Sequence, residues 1–495
     1  MKYDVAIIGA GLGGLQTAYI LAKNGLKVCV LEKNHLVGGC LQTFKRGKNE
    51  FDTGFHYVGG LDDGQPLNTI FSYFNLMHLP WHRLDSNAFD EVYVGNKSFF
   101  FANGYDNFVE ALSQQFPHQK QNLVNYVALL KQVGDGLKNS FLPRAEADVF
   151  GTSLFTRSAY DFLCQTITDP LLRNVLSGTS LKMELAKSTL PLYIFAQINS
   201  TFIQSAWRLN GGGQLIADSL VESIKSMGGT VIVDAEVTEM VEKDGRLSAL
   251  VVGGCDESIE ADWFVSSLHP MATLNLLKES QVVRKIYRRR ISNLQNTFGM
   301  FTVNIALKEG QLPYLNRNQF IYNTNDVWSI AEKENCGQTQ GVLVSYRVPH
   351  EGNMATNIDI LTPMQWQEVE QWAETQVGRR GDDYKQFKEQ KAQECIALAS
   401  RVLPQLPSAV DKVFTSSPLT YYNYTATQQG AAYGIRKDYN NPMQTLLTPR
   451  TPLPNLLLTG QNLNLHGILG VSMSSFFTAA EIIGMECATK ELKFS

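Results

Sequence analysis

The sequence predicts an α/β fold built on a Rossmann-like parallel sheet, and three observations lead to this prediction. A short apolar strand, a glycine-rich turn, a helical pattern and a second strand follow one another within the first 32 residues. A second glycine turn, helix and strand occupy 209–240, and a further apolar strand with a glycine stop lies at 456–460. Strands that alternate with helices in this way form parallel sheets with helices on their faces.

The first of these units has a turn in which each glycine has a mechanical reason. A strand over Lys2–Ile8 leads into a G-x-G-x-x-G sequence that opens a helix. Gly9 makes the tight turn, Gly11 lets the backbone approach a pyrophosphate, and Gly14 lets the helix pack on the strand. A phosphate would then lie at the N-terminus of the helix.

The second strand, Lys27–Leu31, ends at Glu32. A carboxylate at this strand tip accepts hydrogen bonds from the ribose hydroxyls of an adenine dinucleotide and repels a 2′-phosphate. The unit therefore predicts a dinucleotide site, with NAD or FAD favoured over NADP. A glycine-rich turn without a ligand is the alternative, and the strand, helix, strand and acid in register argue against it.

The composition describes a large globular chain. Its 495 residues suggest roughly two to four structural units, and 44% hydrophobic residues with 18% charged residues exclude a disordered chain. The formal net charge of −4 lacks the positive field that non-specific nucleic-acid binding requires, so no nucleic-acid partner is expected.

The cysteines and the uncharged stretches give further expectations. The seven cysteines include no C-x-x-C pair, which favours a reducing, cytoplasmic compartment over a disulfide framework, and no metal site is predicted. The chain begins directly with a strand pattern and shows no signal peptide. The uncharged stretches Ser188–Trp207 and Thr451–Ala480 contain proline and many polar side chains, so we expect them to be buried and not to span a membrane. The cysteines are Cys29, Cys40, Cys164, Cys255, Cys336, Cys395 and Cys487.

Two segments after Glu32 separate FAD from NAD. Glu32 and Lys33 are followed by V-G-G-C-L-Q-T-F at Val37–Phe44 and by F-D-T-G-F-H-Y-V-G-G at Phe51–Gly60. This order and spacing resembles the FAD-binding region of the phytoene desaturase and retinol saturase family, within the wider amine oxidase superfamily. The resemblance implies that FAD is the cofactor, that the Gly38–Gly39 turn follows the pyrophosphate and ribityl chain, and that 54–56 passes close to the isoalloxazine ring.

The rest of the chain carries three further matches to this family. In the family, the residue at Val237 contacts adenine through its backbone. The hairpin around Leu247–Val252 and the strand Ile259–Val265 fit a small sheet that usually follows. The segment Gly467–Val471 opens the last helix, whose backbone N–H groups can stabilise negative charge on a reduced flavin. Thr459-Gly460-Gln461 followed by His466-Gly467 is closer to the retinol saturase branch than to the bacterial phytoene desaturases.

The resemblance implies a discontinuous FAD-binding domain with an inserted α+β substrate domain. The expected FAD-binding segments are 1–62, 205–290 and 411–495, and the expected substrate segments are 63–204 and 291–410. The cofactor-binding residues implied together are Gly9, Gly11, Gly13, Gly14, Glu32, Lys33, Gly38, Gly39, Cys40, Thr43, Gly54, His56, Val237, Gly460, Gln461, Gly467, Gly470 and Val471.

A flavin carries the redox chemistry, so few side chains need to act. If a carbon–carbon double bond is saturated, a proton donor must also reach the second carbon. Family geometry makes His56, Tyr57, Tyr433 and His466 the candidates for this donor. Of these, His56, His466 and Tyr433 are the favoured catalytic candidates, and one of the two histidines is the favoured donor. The alternative for each is a structural side chain bonded to backbone beside the flavin. Tyr421, Tyr422, Tyr424 and Tyr433 either form an aromatic wall or pack a sheet face.

Five positive charges lie within the seven residues 284–290. A solvated helix face is the default interpretation. A peripheral contact with an anionic membrane surface is the alternative, since an apolar lipid must be drawn from a bilayer.

Three functions stay open. The first is an FAD-dependent oxidoreductase acting on the double bonds of a hydrophobic polyene or isoprenoid, as a saturase, desaturase or isomerase. The second is an amine-oxidase-type flavoenzyme, which would want an aromatic cage and often a lysine near the flavin. The third is a GDP-dissociation-inhibitor-like binding protein of the same fold, against which the intact glycine turn argues. The electron partner stays open among NAD(P)H, a quinone and a protein.

Overall fold

A computed structural model describes residues 2–141, 149–254 and 258–494, so Cys255 lies outside the described residues. The strands, in chain order, are β1 Lys2–Ile8, β2 Val28–Leu31, β3 Thr43–Arg46, β4 Asn49–Asp52, β5 Val58–Gly59, β6 Trp81–Arg83, β7 Asp90–Val94, β8 Lys97–Phe101, β9 Ala206–Leu209, β10 Thr230–Ile232, β11 Val237–Lys243, β12 Arg246–Val252, β13 Ser258–Ser266, β14 Gly299–Leu307, β15 Asn318–Tyr322, β16 Gly341–Tyr346, β17 Asn357–Met364, β18 Val410–Ser416 and β19 Leu456–Leu458.

The helices lie mostly between these strands. In chain order they are α1 Leu12–Lys23, α2 Pro66–Tyr73, α3 Tyr105–Ser113, α4 Lys120–Gly136, α5 Val149–Leu154, α6 Ala159–Thr166, α7 Pro170–Ser177, α8 Leu192–Gln204, α9 Gln214–Ser226, α10 Pro270–Asn275, α11 Lys285–Ser292, α12 Asp382–Ser400, α13 Leu406–Ala409, α14 Pro418–Thr425, α15 Pro442–Thr445, α16 Gly467–Ile483 and α17 Met485–Thr489.

The first sheet has the strand order β10-β2-β1-β13-β12-β11, with β19 also paired to β13. Its strands β10, β2, β1, β13 and β19 are parallel, as predicted. Apolar side chains of α1, α9 and α16 share one core with Val5, Val28 and Val265 of this sheet. The predicted strand at Lys2–Ile8 is confirmed, and the second predicted strand begins one residue later, at Val28. The α/β, Rossmann-like fold is therefore confirmed.

One expectation about this sheet is wrong. The strand predicted at Ile259–Val265 was assigned to a small sheet, but β13 is a central strand of the first sheet, parallel to β1 along its whole length. Phe264 and Val265 are fully buried, which requires neighbours on both sides and on both faces. The antiparallel strands β11 and β12 extend the same sheet instead of forming a separate one.

The second sheet has the order β18-β14-β17-β16-β15-β7-β8 and is mainly antiparallel. Most of its strands come from the two segments expected to bind substrate. Strand β18, Val410–Ser416, pairs with β14 in this sheet, so the segment expected to begin the last FAD-binding piece at 411 begins with a strand of the second sheet. The site lies where the two sheets and the buried helix α8 meet.

Helix α8 lies within the first uncharged stretch, and α16 begins in the second and ends three residues beyond it; both helices are buried along most of their lengths. Among the described residues, no helix combines the length and apolar character needed to cross a membrane.

Candidate active site

The glycine turn after β1 is shaped by packing at two positions and left open at a third. Gly9 has φ of +91°, and a Cβ on Gly14 would lie 2.1 Å from the Gly9 carbonyl oxygen, so both positions need glycine. A Cβ on Gly11 would have no heavy atom within 4 Å. Gly11 is therefore not required by packing, and it leaves open space at the N-terminus of α1, where a phosphate group fits.

The second glycine turn lies directly against the first. The backbone N–H of Gly38 donates to the Ala10 carbonyl at 2.8 Å, and a Cβ on Gly39 would be 3.4 Å from the Gly11 Cα. The two turns that the sequence assigned to one pyrophosphate are thus adjacent. Their arrangement fits an extended dinucleotide, although its binding stays a prediction.

Glu32 is fixed at the tip of β2. One carboxylate oxygen accepts from the Ala10 N–H at 2.9 Å, and the other accepts from the backbone and side-chain N–H groups of Asn34. The neighbouring Lys33 has a different partner, since its Nζ donates to the Asn423 carbonyl at 2.7 Å. The contacts of Glu32 hold its carboxylate beside the glycine turn, where the ribose was expected.

Val237, which was expected to contact adenine, is the first residue of β11.

Several of the predicted FAD-binding positions serve the packing of α1 against α16. A Cβ on Gly13 would be 3.0 Å from the Gly460 Cα and 3.4 Å from Val471 Cγ1, and a Cβ on Gly470 would be 2.3 Å from the Leu465 carbonyl oxygen. Glycine at positions 13 and 470 is therefore explained without a ligand. Gln461 follows Gly460 in the same loop.

Thr43 also has a partner within the protein. Its hydroxyl donates to Asp52 Oδ1 at 2.8 Å, across the β3–β4 hairpin. Its predicted contact with FAD has no further support here.

A largely apolar cavity of about 220 Å³ opens between the two sheets. It brings together His56, Tyr433 and His466 with Cys40, Gly54 and Gly467, although these residues come from four separate parts of the sequence. Among the described residues that line it, Lys182 is the one with a charged side chain. The remaining wall is mainly aliphatic and aromatic, and includes Tyr57, Leu181, Ile198, Phe202, Met300, Leu343, Leu361 and Tyr421.

Two of the three catalytic candidates are bonded to backbone. The Nε2 of His466 lies 3.1 Å from the Lys182 carbonyl oxygen and must donate to it, and the hydroxyl of Tyr433 donates to the Leu181 carbonyl. Their rings are 4.6 Å apart. Burial lowers the pKa of His466 to about 4, so this imidazole is neutral. These contacts favour a structural role for both side chains.

His56 is different. Its Nε2 is buried and has no hydrogen-bond partner among the described residues, while its Nδ1 lies 3.8 Å from Asp359 Oδ2. Burial, followed by the nearby positive charge of Arg208, lowers the pKa of His56 to about 4. A buried ring nitrogen without a protein partner is available to a ligand, so His56 is the strongest candidate among the three.

The cavity wall also contains an ionic group that the sequence did not reveal. The Nζ of Lys182 lies 3.5 Å from Asp90 Oδ2 and 3.9 Å from the centre of the Phe202 ring. The Tyr57 hydroxyl donates to the same Asp90 oxygen at 2.9 Å. Burial lowers the pKa of Lys182 to about 8. Both ionic residues come from segments that carry no motif, so no local signal could have found them.

The four candidate wall tyrosines have different environments. Tyr421 and Tyr433 line the cavity, Tyr422 packs on Trp366 with ring centres 5.1 Å apart, and Tyr424 is exposed. The aromatic wall therefore consists of two of the four. In the part of the chain that the structure describes, no group of three or more His, Cys, Asp or Glu side chains could hold a metal ion.

The basic segment forms the N-cap and most of α11. Arg288 donates to the carbonyls of Leu274 and Leu277 and so stabilises the end of α10. The other basic residues of α11 are exposed. Ile286, an apolar residue that lies between them, has 77% of its surface exposed.

Known proteins match this chain both in the first glycine-turn unit and over most of its length. The family described as NAD(P)-binding Rossmann-like domain matches residues 7–74. The chain is 28% identical to the all-trans-retinol 13,14-reductase of Danio rerio over 97% of this chain and 86% of that protein. It is 25% identical to the chloroplastic prolycopene isomerase of Daucus carota over 88% of this chain and 72% of that protein.

The fold is also similar to that of solved proteins. A putrescine oxidase variant superposes with a TM-score of 0.66 and 15% identity over 98% of this chain and 99% of that chain. At this identity the similarity concerns the fold alone.

Proposed function

We propose that this chain, a member of the family of retinol saturases, carotenoid isomerases and phytoene desaturases, is an FAD-dependent oxidoreductase that reduces a carbon–carbon double bond of a hydrophobic polyene or isoprenoid. The observation that carries the proposal is the apolar cavity of about 220 Å³, in which the buried imidazole nitrogen His56 Nε2 has no hydrogen-bond partner among the residues that the structure describes. An apolar wall suits a polyene, and one uncommitted ring nitrogen suits a proton donor.

The residues of the first sheet fit FAD. The open space at Gly11, the adjacent Gly38–Gly39 turn and the N-terminus of α1 would hold the pyrophosphate, and Glu32 would hold the ribose. Gly54 and Gly467 line the cavity where the flavin ring was expected. When bound, the flavin supplies or accepts a hydride.

The chain itself has three tasks. Its aliphatic and aromatic side chains hold the polyene and exclude water from the cavity. Backbone N–H groups at the start of α16 lie at the cavity wall, where they favour negative charge. Saturation of a double bond also consumes one proton, and His56 is placed to donate it.

The two other functions receive less support. The amine-oxidase alternative has some support, because Lys182 and the aromatic side chains of Tyr421 and Tyr433 line the cavity. The wall is largely apolar, however, and no acidic residue is among the described residues that line it, which suits a polyene better than a protonated amine. The open glycine turn and Glu32 together are typical of a dinucleotide-binding site. They argue against a GDP-dissociation-inhibitor-like binding protein, which uses no flavin.

The test is mass spectrometry of lipids after incubation with the reduced and the oxidised flavoprotein. We expect the reduced enzyme to add two hydrogens to a polyene, and removal of two hydrogens or an unchanged mass with altered geometry would show a desaturase or an isomerase instead. A colourless preparation that binds no added FAD would contradict the proposal as a whole.

We also propose that the α11 surface contacts anionic membranes. The exposed Ile286 lies among exposed cations, and Arg290 reaches the carbonyl of Met443, whose side chain is 86% exposed. Apolar tips among basic residues suit a lipid headgroup region. Ile286→Asp should reduce sedimentation with phosphatidylserine vesicles, and unchanged sedimentation would contradict this contact.

A further inference from the structure

We propose that a polar pocket on the far side of His56 is a proton inlet, in which Asp359 passes protons to His56 for delivery into the apolar cavity. This inference rests on the proposed function, because reduction of a double bond consumes a proton. The cavity that holds the polyene excludes water, so the proton needs a separate path.

The pocket has a volume of about 20 Å³, which is room for about one water molecule, and lies between the β3–β4 hairpin and the strands β16 and β17. Its polar lining comprises Glu50, Asp52, Arg208, Arg347, Asn357 and Asp359, together with Ser345 and Tyr346. Phe55 and His56 line both this pocket and the apolar cavity. His56 is therefore part of the wall between a polar compartment and an apolar one.

The lining offers hydrogen bonds that the protein does not use. The Nε of Arg208 and the Oδ1 of Asn357 are buried and have no partner among the described residues. Unused polar groups around a pocket that has room for one water are the setting in which an ordered water is found. Glu50 connects the pocket to solvent, because its other partner, Lys45, has a side chain that is 75% exposed.

Asp359 is held in one orientation beside the imidazole. One of its oxygens accepts from Asn304 Nδ2 at 2.6 Å, which leaves the other oxygen facing His56 Nδ1 at 3.8 Å. Direct contact needs this distance to close by less than 1 Å, or one water to bridge it.

The charges around the pair decide where the proton rests. Asp359 faces Asp52, Arg347 and Arg208, and burial outweighs the two arginines, so its pKa is raised to about 7. The pKa of His56 is lowered to about 4. Near neutral pH the proton therefore lies on the carboxyl group of Asp359, beside a neutral imidazole.

Atoms and charges balance in this proton transfer, and no imidazolium ion persists. The His56 Nε2–H bond breaks as a C–H bond forms on the polyene, whose other carbon receives the hydride that the reduced flavin supplies. The Asp359 O–H bond breaks as the Nδ1–H bond forms. Asp359 then takes a proton from water in the pocket. The imidazole turns so that its protonated nitrogen again faces the cavity and its unprotonated nitrogen faces Asp359, so the net proton source is water in the pocket.

The first test reads the imidazole itself, in the flavin-free protein. The protein is labelled with ¹⁵N-histidine, and the His56 signal is assigned by its loss in His56→Phe. We expect the wild-type ¹⁵N shifts to change as Asp359 ionises near pH 7. The change should vanish in Asp359→Asn and persist in Asp359→Glu. Glu50→Gln, which alters a pocket carboxylate that does not face His56, is the matched control and should keep it. A His56 signal that is the same in Asp359→Asn and wild type would overturn the relay.

The second test is turnover of a polyene by the reduced enzyme. Loss of an effective proton donor costs about 10²-fold or more, so Asp359→Asn should lower turnover by about that factor and remove the decline of rate above pH 7. Flavin content should be unchanged. Normal turnover and an unaltered pH profile in Asp359→Asn would overturn the relay. If the wild-type enzyme reduces no polyene, the proposed function fails, while the ¹⁵N titration still decides whether Asp359 and His56 share a proton.

Discussion

Replacement of Gly11 by alanine separates flavin binding from folding. The backbone of Gly11 is extended, with φ of −72° and ψ of 175°, and the added Cβ would have no heavy atom within 4 Å. Alanine adopts this conformation without strain. We therefore expect the free energy of unfolding of the flavin-free protein to change by less than about 1 kcal/mol.

The same methyl group would stand where the FAD pyrophosphate is expected. Loss of one hydrogen bond to a charged phosphate costs about 1.5–3 kcal/mol, which corresponds to a Kd for FAD that is raised roughly ten- to hundred-fold. The measurement is a titration of flavin-free protein with FAD, followed by flavin fluorescence. Urea unfolding followed by far-ultraviolet circular dichroism gives the stability of the same preparations.

Gly14→Ala is the matched variant, since it adds the same methyl group three residues later. There the Cβ would lie 2.1 Å from the Gly9 carbonyl oxygen, so α1 must move away from β1. Overpacking of this kind costs about 1–3 kcal/mol, and we expect the loss of stability without any flavin present. A wild-type Kd for FAD in Gly11→Ala would refute the position of the pyrophosphate, and wild-type stability in Gly14→Ala would refute the packing argument.

Three further predictions concern single side chains. Glu32→Gln should raise the Kd for FAD about ten-fold, because a neutral amide is a weaker acceptor for the ribose hydroxyls, and an unchanged Kd would place the ribose elsewhere. His56→Phe should lower polyene turnover by about 10²- to 10⁴-fold with a normal flavin spectrum, whereas His466→Phe should lower it far less, and equal effects would contradict the distinction. Between pH 3.8 and about 7 the folded protein holds a proton on Asp359 that the unfolded chain has released, so this group makes stability fall as the pH rises. Asp359→Asn should lack that fall in urea unfolding measured across this range, and parallel curves for the two proteins would contradict the raised pKa.

The first sixty residues allowed prediction because their structure is set locally. Gly9, Gly11 and Gly14 have spacings fixed by one turn and one helix, and the glycine requirement at Gly9 and Gly14 follows from contacts within that unit. The position of β13 could not be predicted in the same way. A strand of nine residues with apolar side chains suits a small antiparallel sheet or a central parallel one, and only its pairing with β1 decides.

The residues of the candidate site were likewise predictable only where a local sequence pattern marks them. His56 belongs to a local sequence pattern and was found. Asp359 lies on β17, about three hundred residues later, and comes to face His56 only because the second sheet sets the register of that strand. Lys182 and Asp90 meet through a contact between two such segments. No periodicity or motif marks these side chains, because their roles arise from tertiary contacts alone.

The first sheet pairs strands from the beginning, the middle and the end of the sequence, and this affects when the sheet can form during synthesis of the chain. Strand β1 needs β13 as its neighbour, β13 in turn pairs with β19, and α1 receives a hydrogen bond from Ser475 of α16 at the Gly13 carbonyl. The chain must therefore be synthesised at least as far as Ser475 before the glycine turn acquires its final surroundings. Contacts so distant along the chain form slowly, and until they form the apolar edge of β1 stays exposed to aggregation. Binding of the proposed FAD should therefore follow synthesis of α16, and deletion of β19 and α16 should abolish it as completely as a lesion in the glycine turn.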